Sequence, residues 1–523
     1  MARDLTHLIG QSLMLQFEGP ELTSDVRAAL ARIRPGGVVL FSSNIQSPEQ
    51  IVGLCRDLQA EARALGLPPL LIAADQEGGT VSRLPEPFVT VPSPMAQAAS
   101  GDPRAAERCA FISGRQLRDV GITMNFAPVL DVNLQPANPV IRTRAFGDDA
   151  DTVARFGLAA LRGYEAAGVI ATAKHFPGHG DTDVDSHHGL PVVAHDRARL
   201  RAIELAPFAG AIATGVPAIM TAHIIFPALD EHPATLSRRI LTGLLREELG
   251  YDGLIVTDAM DMGAIVDRYG REQAAVRAKA AGADVLEMVD TLETQIEAAN
   301  ALRRAVASGE LTESCFETTA HRLDTLRSRY RITHHLPASP DPNPDPGLRA
   351  EALDIARQSI TLLPGGQALP LGRDTRLAVI DCQRARSSIA EDPADRAAAF
   401  RETVALTFPD AVFATVGQEP DAVGLARARE IGAAAEMVLL VTRDVEQSPH
   451  QAQLGRDLAK GPAPLLHATV RAPYDAGLLP EAAATLLTYG DPPVSLQALV
   501  DVLAGRVPAR GTPPVRLAGA PLR

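Results

Sequence analysis

The sequence predicts an α/β protein in which a (β/α)8 TIM-type barrel is followed by a smaller α/β sandwich domain. Three observations lead to this prediction. Eight short β-rich runs alternate with longer helical stretches over roughly the first 330 residues, which is the pattern of βα units around a parallel sheet. A proline-rich stretch then interrupts the periodicity. Beyond it, further short β-rich runs are separated by alanine-rich helical segments.

The eight runs of the predicted barrel are each five or six residues long. They are Ser12–Phe17, Gly37–Phe41, Leu70–Ala74, Ile122–Phe126, Val169–Ala173, Pro217–Thr221, Gly253–Thr257 and Ala283–Met288. Active sites of such barrels lie at the carboxyl ends of the strands. Polar residues follow the third to seventh runs, in the order Asp75, Gln76 and Glu77; Asp131 and Asn133; Lys174 and His175; His223; and Asp258. Any one of them could be a helix cap, but five in register favour a site.

The expected division is a barrel over residues 1–333, a linker over 334–347 and a sandwich domain over 348–523. The linker HHLPASPDPNPDPG carries five prolines and has no apolar periodicity, so an extended, stiff chain is expected there. The β-rich runs of the second domain are Leu377–Ile380, Val412–Val416, Met437–Val441, Leu465–Val470 and Thr485–Thr488.

Charge and composition narrow the class of partner. Fifty basic and 63 acidic side chains give a net charge of -13, which argues against nucleic-acid or anionic-membrane partners. The opening MARDLTHLIGQSLML lacks a signal-peptide pattern, and no apolar run reaches the ~18 residues of a spanning helix, so we expect a cytoplasmic protein. The four cysteines are scattered and predict reduced thiols with no disulfide framework and no zinc site. No metal or cofactor is expected.

The run KHFPGHGDTDVDSHHGLP, residues 174–191, combines one lysine, four histidines and three aspartates directly after an apolar run. So many titratable groups in one loop are typical of a functional site rather than of a solvated surface loop. The pair Gly178 and Gly180, with Pro177, would let this loop turn sharply and approach a substrate. We therefore expect it to form part of an active site and to move when substrate binds.

The motifs resemble glycoside hydrolase family 3, and most closely its β-N-acetylglucosaminidase branch. The matching blocks occur in the family's order and are GGVVLF, ADQEGGTVSRL, NFAPVLDVN, RTRAFGDD, the 174–191 run, MTAHIIFPALD, PATLS and GLIVTDAMDMGAI. The resemblance implies that Asp258 is the catalytic nucleophile. It also implies that Asp185, Ser186 and His187 form a loop in which His187 is the general acid and base.

The chemistry of the imidazole supports this role for His187. Histidine titrates near neutral pH, so it can both donate and accept a proton without strong burial. A carboxylate at Asp185 could accept the other ring N–H and fix the tautomer, as an aspartate does in hydrolase triads. Spacing alone leaves neighbouring His188 as an alternative acid and base.

The resemblance implies a site for one terminal sugar, and the residues at the family's sugar-binding positions are Asp75, Arg83, Arg144, Lys174 and His175. Charged side chains form the strong hydrogen bonds that fix a sugar ring. The alternative for the two arginines is structural pairing with Glu77 or Asp131. Asp261 is expected to face solvent or cap a turn, and His223 to orient its neighbours at the barrel mouth.

The resulting hypothesis is an exo-acting, retaining enzyme that releases terminal β-linked N-acetylglucosamine from a small saccharide or muropeptide in peptidoglycan recycling. The chain has no tryptophan, and its aromatic content is 4%, so recognition must be largely polar. The alternatives are a β-glycoside phosphorylase or β-glucosidase of the same fold, a metal-dependent barrel hydrolase, and a non-catalytic sugar-binding protein. The sequence leaves open the aglycone, the oligomeric state and the role of the second domain.

Overall fold

The computed structural model describes residues 4–185, 189–335, 345–363, 369–384, 391 and 397–517. Its first sheet has eight parallel strands, each beginning inside one of the predicted runs. They are β1 Leu13–Leu15, β2 Gly37–Val39, β3 Leu71–Ala74, β4 Met124–Asn125, β5 Ile170–Phe176, β6 Ala218–Thr221, β7 Leu254–Val256 and β8 Leu286–Met288. The order is β8-β1-β2-β3-β4-β5-β6-β7, and a parallel bridge between Val256 and Val285 joins its two ends. The predicted barrel is confirmed.

Helices connect the strands and surround the barrel. The α-helices of this part of the chain are Leu5–Gln11, Ser24–Ile33, Pro48–Ala64, Pro94–Ala99, Arg104–Val120, Ala150–Ala167, Arg197–Ala202, Ala206–Ala213, Gly263–Tyr269, Arg271–Ala281, Leu292–Ala307 and Glu313–Arg329, with a π-helix at Arg239–Glu248 and short 3-10 turns at Ser42–Asn44, Arg142–Arg144 and Ala234–Leu236. Polar caps begin several of them. The side chains of Thr23, Ser47 and Asp149, for example, each accept a hydrogen bond from a first-turn amide, which satisfies a donor that the helix leaves open.

Apolar side chains fill the barrel interior, so it is a packed core rather than a pore. The inward-facing set includes Met14, Val39, Leu71, Ala73, Met124, Phe126, Ile170, Ala218, Met220, Leu254, Val256 and Val285. Leu323, Leu326 and Tyr330, from the end of the helix Glu313–Arg329, join the same cluster. Arg327 of this helix donates to the carbonyl oxygens of Gly36 and Pro69, just before β2 and β3. This helix therefore covers the amino ends of the strands, and the carboxyl ends remain for the site.

A second sheet of six strands follows. Its strands are β9 Thr361–Leu362, β10 Leu377–Cys382, β11 Val412–Val416, β12 Met437–Thr442, β13 Leu465–Thr469 and β14 Ala484–Leu487. The order is β9-β14-β13-β12-β10-β11, with β9 antiparallel to β14 and the other pairs parallel. The helices here are Pro346–Ser359, Ala397–Thr407, Ala422–Ala434, His450–Ala459 and Pro493–Leu503, with 3-10 turns at Val445–Gln447 and Pro473–Leu478. Five of the six strands match predicted runs.

The expected linker needs one correction. Residues 336–344 lie outside the described residues, and the end of the predicted linker is helical, because the helix Pro346–Ser359 begins two residues before residue 348. The Asp345 side chain accepts from the amide of Gly347, and proline suits the first helical position because it lacks the amide that would be left open. The domain boundaries at 333 and 348 remain a prediction.

Side chains of the barrel half and of the second sheet share one apolar core. Val89, Val91, Ala105, Cys109 and Ile112 from the barrel half belong to the same buried cluster as side chains of β10, β12, β13 and β14. Polar contacts surround it. Arg108 forms a two-point ion pair with Glu351 at 2.6 and 2.7 Å, and Arg142 lies 3.0 Å from the Asp444 carboxylate. The two parts are therefore packed together over a continuous interface.

Candidate active site

A cavity of about 200 Å3 opens at the carboxyl ends of the barrel strands. Its lining comes from the ends of β2, β3 and β5 to β8 and from adjoining loops. It comprises Phe41, Asp75, Glu77, Val81, Arg83, Val140, Arg144, Lys174, His175, His179, Met220, Asp258, Ala259, Asp261, Met262, Gly263, Glu287 and Val289. Six of the predicted site residues are in this set: Asp75, Arg83, Arg144, Lys174, His175 and Asp258. Within the described residues, the whole lining comes from the barrel half.

Lys174 forms the centre of the charged wall. It lies on the same face of β5 as Ile170, which belongs to the barrel interior, so its side chain points inward, and only 2% of it is exposed. Its Nζ lies 2.7 Å from Oδ1 of Asp75 and 2.7 Å from Oε1 of Glu77. Burial alone would lower the pKa of Lys174, but the charges of Asp75 and Glu77 outweigh it and raise the pKa. The lysine is therefore a fixed cation.

Arg144 binds both carboxylate oxygens of Glu77. It lies on the 3-10 turn Arg142–Arg144, and its Nε and Nη2 donate at 2.8 Å to the two oxygens of Glu77. Burial alone would raise the pKa of Glu77, but Arg144 and Lys174 together hold it well below its usual range. The pairing of Arg144 with Glu77 considered from the sequence is thus found. Arg83 instead lies 3.6 Å from Asp75, with its guanidinium 5.5 Å from the centre of the Phe41 ring.

His175 is oriented by Asp131, whose carboxylate is fully buried. One carboxylate oxygen lies 2.7 Å from Nδ1 of His175, and the other accepts from the amides of His175 and His179. Burial alone would raise the pKa of Asp131, but the two histidines outweigh it and lower the pKa. A carboxylate in this position holds Nδ1–H of the imidazole and leaves Nε2 as the second ring nitrogen for a substrate.

His179 lines the cavity, although the glycines on both sides of it in the sequence favour a turn rather than a binding residue. Its side chain is buried, and Nδ1 lies 3.0 Å from Oγ1 of Thr182. Burial, and then the charge of His175, lower its pKa to about 4. His179 is therefore neutral near pH 7. Its place in the histidine-rich run was the available signal.

The proton of His179 leads to a prediction for stability in acid. The unfolded chain takes up this proton near pH 6.5 and the folded chain near pH 4, so the stabilisation is present above pH 6.5 and is lost as the pH falls to about 4. Over this interval we expect wild-type protein to lose on the order of 3 kcal/mol of unfolding free energy relative to His179→Gln. Urea unfolding of both proteins at several pH values measures this difference.

His467 provides the matched control. It is buried in the second domain, away from the cavity, and burial lowers its pKa to about 4 as well. Between pH 6.5 and pH 4, His467→Gln should therefore also lose less unfolding free energy than wild type, by a similar amount. If wild type and His179→Gln lost stability in parallel while His467→Gln diverged, the neutral state of His179 would be disproved.

Asp258 follows β7 and reaches the opposite wall. It is half-buried, and its Oδ1 accepts from the amide of Ala259 at 2.9 Å. His223 supports this segment, since its Nε2 donates to the carbonyl oxygen of Ala259 at 2.9 Å and its Nδ1 lies 2.8 Å from Oγ1 of Thr235. This agrees with the orienting role expected for His223. Asp261 lies in the turn before the helix Gly263–Tyr269, is partly exposed, and also lines the cavity.

The position of His187 relative to Asp258 remains a prediction, because Ser186, His187 and His188 lie outside the described residues. The ends of this short segment are in view. Asp185 is partly buried, and its carbonyl oxygen accepts from the amide of Gly189 at 3.0 Å. Asp185 itself is not among the cavity-lining residues.

Three side chains with metal-ligand atoms lie close together on the stretch of chain that follows β5. One ligand atom each from Asp181, His195 and Glu204 come within 4.8 Å of one another. Asp181 and His195 are hydrogen-bonded, and Arg199 already pairs with Glu204. The three do not line the cavity. In the cavity, the negative charges of Asp75 and Glu77 are already balanced by Lys174 and Arg144. These two carboxylates therefore do not need a metal ion to neutralise them.

Fold and site together define a class, namely a TIM-barrel protein with a small pocket of fixed cations and carboxylates at the carboxyl ends of its strands, where barrel enzymes hold their substrates. The chain belongs to glycosyl hydrolase family 3, since the model of the glycosyl hydrolase family 3 N terminal domain matches residues 5–326. The protein is therefore a glycoside hydrolase, as its motifs predicted. Among the described residues, no helix is long and apolar enough to cross a membrane.

Individual relatives agree with this family. Over 407 residues the chain is 35% identical to beta-hexosaminidase A of Pseudoalteromonas piscicida, covering 70% of this chain and 68% of that protein. It is 41% identical over 280 residues to a beta-hexosaminidase of Pseudomonas aeruginosa, covering 52% of this chain and 81% of that one. The solved family 3 beta-N-acetylglucosaminidase of Paenibacillus sp. str. FPU-7 superposes with a TM-score of 0.93 at 38% identity, over 98% and 99% of the two chains.

Proposed function

We propose that this hydrolase is an exo-acting, retaining β-N-acetylglucosaminidase that removes one terminal sugar at a time. The observation that carries the proposal is the likeness to a solved β-N-acetylglucosaminidase over nearly the whole of both chains. The cavity volume of about 200 Å3 is below the ~300–1,000 Å3 of pockets for drug-sized ligands. A pocket of this size suits a single sugar ring rather than a stretch of polysaccharide.

Binding in this proposal is polar. Asp75 and Lys174 would hold hydroxyl groups on one side of the ring, with Arg83, Arg144 and His175 completing the site. Asp75, Arg144 and Lys174 are already fixed by ion pairs, so little side-chain freedom is lost when the sugar binds. Charge-assisted hydrogen bonds from such groups replace the stacking that tryptophan provides in other sugar sites.

The reaction proceeds in two steps. A carboxylate oxygen of Asp258 attacks the anomeric carbon while His187 donates a proton to the departing glycosidic oxygen, which gives a covalent glycosyl-enzyme and a free aglycone alcohol. His187, now neutral, takes a proton from water, and the resulting oxygen attacks the anomeric carbon and releases Asp258. Two inversions give net retention. Asp185 would hold the second ring N–H of His187 throughout.

Turnover of 4-nitrophenyl β-N-acetylglucosaminide tests activity and substrate class together. We expect rapid release of nitrophenol from this substrate, and release from the matching glucoside slower by at least about tenfold, which is the effect of losing one to two good hydrogen bonds. NMR of the fresh product should show the β-anomer of the free sugar. A preference for the glucoside, or an α-anomer, would contradict the proposal.

Phosphate distinguishes hydrolysis from phosphorolysis. The same assay with and without inorganic phosphate should give equal rates and free sugar in both cases. A sugar phosphate that forms only when phosphate is present would instead favour the phosphorylase alternative.

The cellular role that we propose is the recycling of peptidoglycan fragments in the cytoplasm, with terminal N-acetylglucosamine as the substrate. Release of N-acetylglucosamine from purified muropeptides tests this role.

A further inference from the structure

Glu287 of β8 is an acidic residue among the apolar side chains of the barrel interior. It stands opposite Met14 in the register of these strands, and Met14 belongs to the packed interior. The flanking Leu286 and Met288 belong instead to the outer core, so the side chain of Glu287 points inward. Only 3% of Glu287 is exposed, and it lines the cavity. The floor of the pocket therefore contains a carboxyl group.

The backbone of Glu287 is tied to the segment that carries Asp258. The amide of Glu287 donates to Oγ1 of Thr257 at 3.0 Å, and its carbonyl oxygen accepts from the amide of Met260 at 3.0 Å. These bonds lie on both sides of Asp258. The backbone of Glu287 is thus held against the segment that carries Asp258.

The charges around Glu287 are mostly negative. The charges with the largest effect on Glu287 are those of Asp75 at the end of β3, Asp258 and Asp261 after β7, and Lys174 of β5, so three of these four are negative. Lys174 is already paired with Asp75 and Glu77 at 2.7 Å each. In the described part of the chain, no basic side chain forms an ion pair with Glu287. A second carboxylate buried beside Asp258 would also disfavour the ionised form of that nucleophile.

Protonation of Glu287 removes the repulsion between its carboxylate and that of Asp258. Burial, and then the charges of Asp75 and Asp258, raise the pKa of Glu287 well above its usual range. The neutral carboxylic acid has one O–H donor, which an ionised carboxylate lacks. A donor at the cavity floor suits an uncharged hydroxyl or ether oxygen of a sugar.

We propose that Glu287 is a further substrate-binding residue, which carries its proton at neutral pH and donates a hydrogen bond to a sugar oxygen on the Asp258 side of the cavity. This inference rests on the proposed function for the identity of its ligand. Its neutral O–H would add to the contacts that Lys174 and Arg144 provide as cations in the proposed sugar site.

The proton is tested without any substrate. Infrared difference spectra between wild type and Glu287→Gln at pH 7 should contain the carbonyl stretching band of one protonated carboxylic acid. Thr257→Val is the matched control, because it removes the acceptor of the Glu287 amide and leaves the carboxyl group in place, so it should keep the band. Absence of the band from wild type, or its persistence in Glu287→Gln, would overturn the proposal.

The hydrogen bond is tested by kinetics on 4-nitrophenyl β-N-acetylglucosaminide. Glu287→Gln keeps a donor and should stay within about threefold of wild type in kcat/KM, whereas Glu287→Leu should lose about tenfold, the effect of one hydrogen bond. Equal activity of wild type and Glu287→Leu would overturn the substrate contact. If wild type itself does not cleave this sugar, the proposed function fails while the infrared result still decides the proton, so the two failures are distinguishable.

Discussion

Asp258→Asn is expected to lower kcat by at least about 10³-fold, because an amide cannot form the glycosyl-enzyme that a carboxylate nucleophile forms. Asp258 lines the cavity at the carboxyl end of β7, so the substitution removes charge without changing the size of the side chain. Acid-quenched turnover of 4-nitrophenyl β-N-acetylglucosaminide, followed by intact-mass measurement, should reveal a glycosyl adduct on wild type and none on the variant.

Asp252 offers a control at the other end of the same strand. Its side chain is 93% exposed and pairs with Arg322, so Asp252→Asn should leave kcat within about twofold, as surface substitutions do. Retention of more than a tenth of wild-type kcat by Asp258→Asn would assign the nucleophile to another residue. An adduct on the variant would lead to the same conclusion.

Lys174→Met is expected to produce the largest loss of stability, about 3–5 kcal/mol, because removing one partner of a buried ion pair leaves its charge uncompensated. Lys174 joins two carboxylates in a site where only 2% of its side chain and 1% of that of Glu77 are exposed. Chemical unfolding at pH 7 measures the change. We also expect KM to rise, since Asp75 would lose the contact that fixes it.

Lys279→Met tests whether the effect comes from charge compensation rather than from any buried lysine. Lys279 is also buried, but its Nζ donates to the carbonyl oxygens of Ala283 and Asp284 and to Oγ1 of Thr319. Its replacement should cost about 1–3 kcal/mol, because the groups left behind are polar but uncharged. A loss from Lys174→Met no larger than that from Lys279→Met would show that the ion pairs contribute little.

The barrel could be predicted because its strands are short apolar runs that alternate with helices, and all eight were located. Shorter elements could not. The two-residue strand Thr361–Leu362 has too few positions for a period, and it forms only by pairing with Ala484–Leu487. The same applies to the small hairpin of Gln76–Gly78 with Val81–Ser82.

The candidate site divides in a similar way. Asp75, Lys174 and Asp258 could be found because each follows an apolar run, and the barrel brings such positions together. Glu287 could not be predicted as a site residue, because it lies inside an apolar run and not directly after one. Lys174 pairs with both Asp75 and Glu77, and Arg144 pairs with Glu77. These pairings depend on side-chain geometry that the spacing of residues in the sequence does not encode.

Separating the two halves of the chain would expose the apolar core that they share. Val89, Val91, Ala105, Cys109 and Ile112 belong to the barrel half but pack among side chains of the second sheet. In a chain that ended after the barrel, these five side chains would be exposed to water as one apolar surface, which favours aggregation. The second half therefore covers an apolar surface of the catalytic half, even though it supplies none of the described side chains of the pocket.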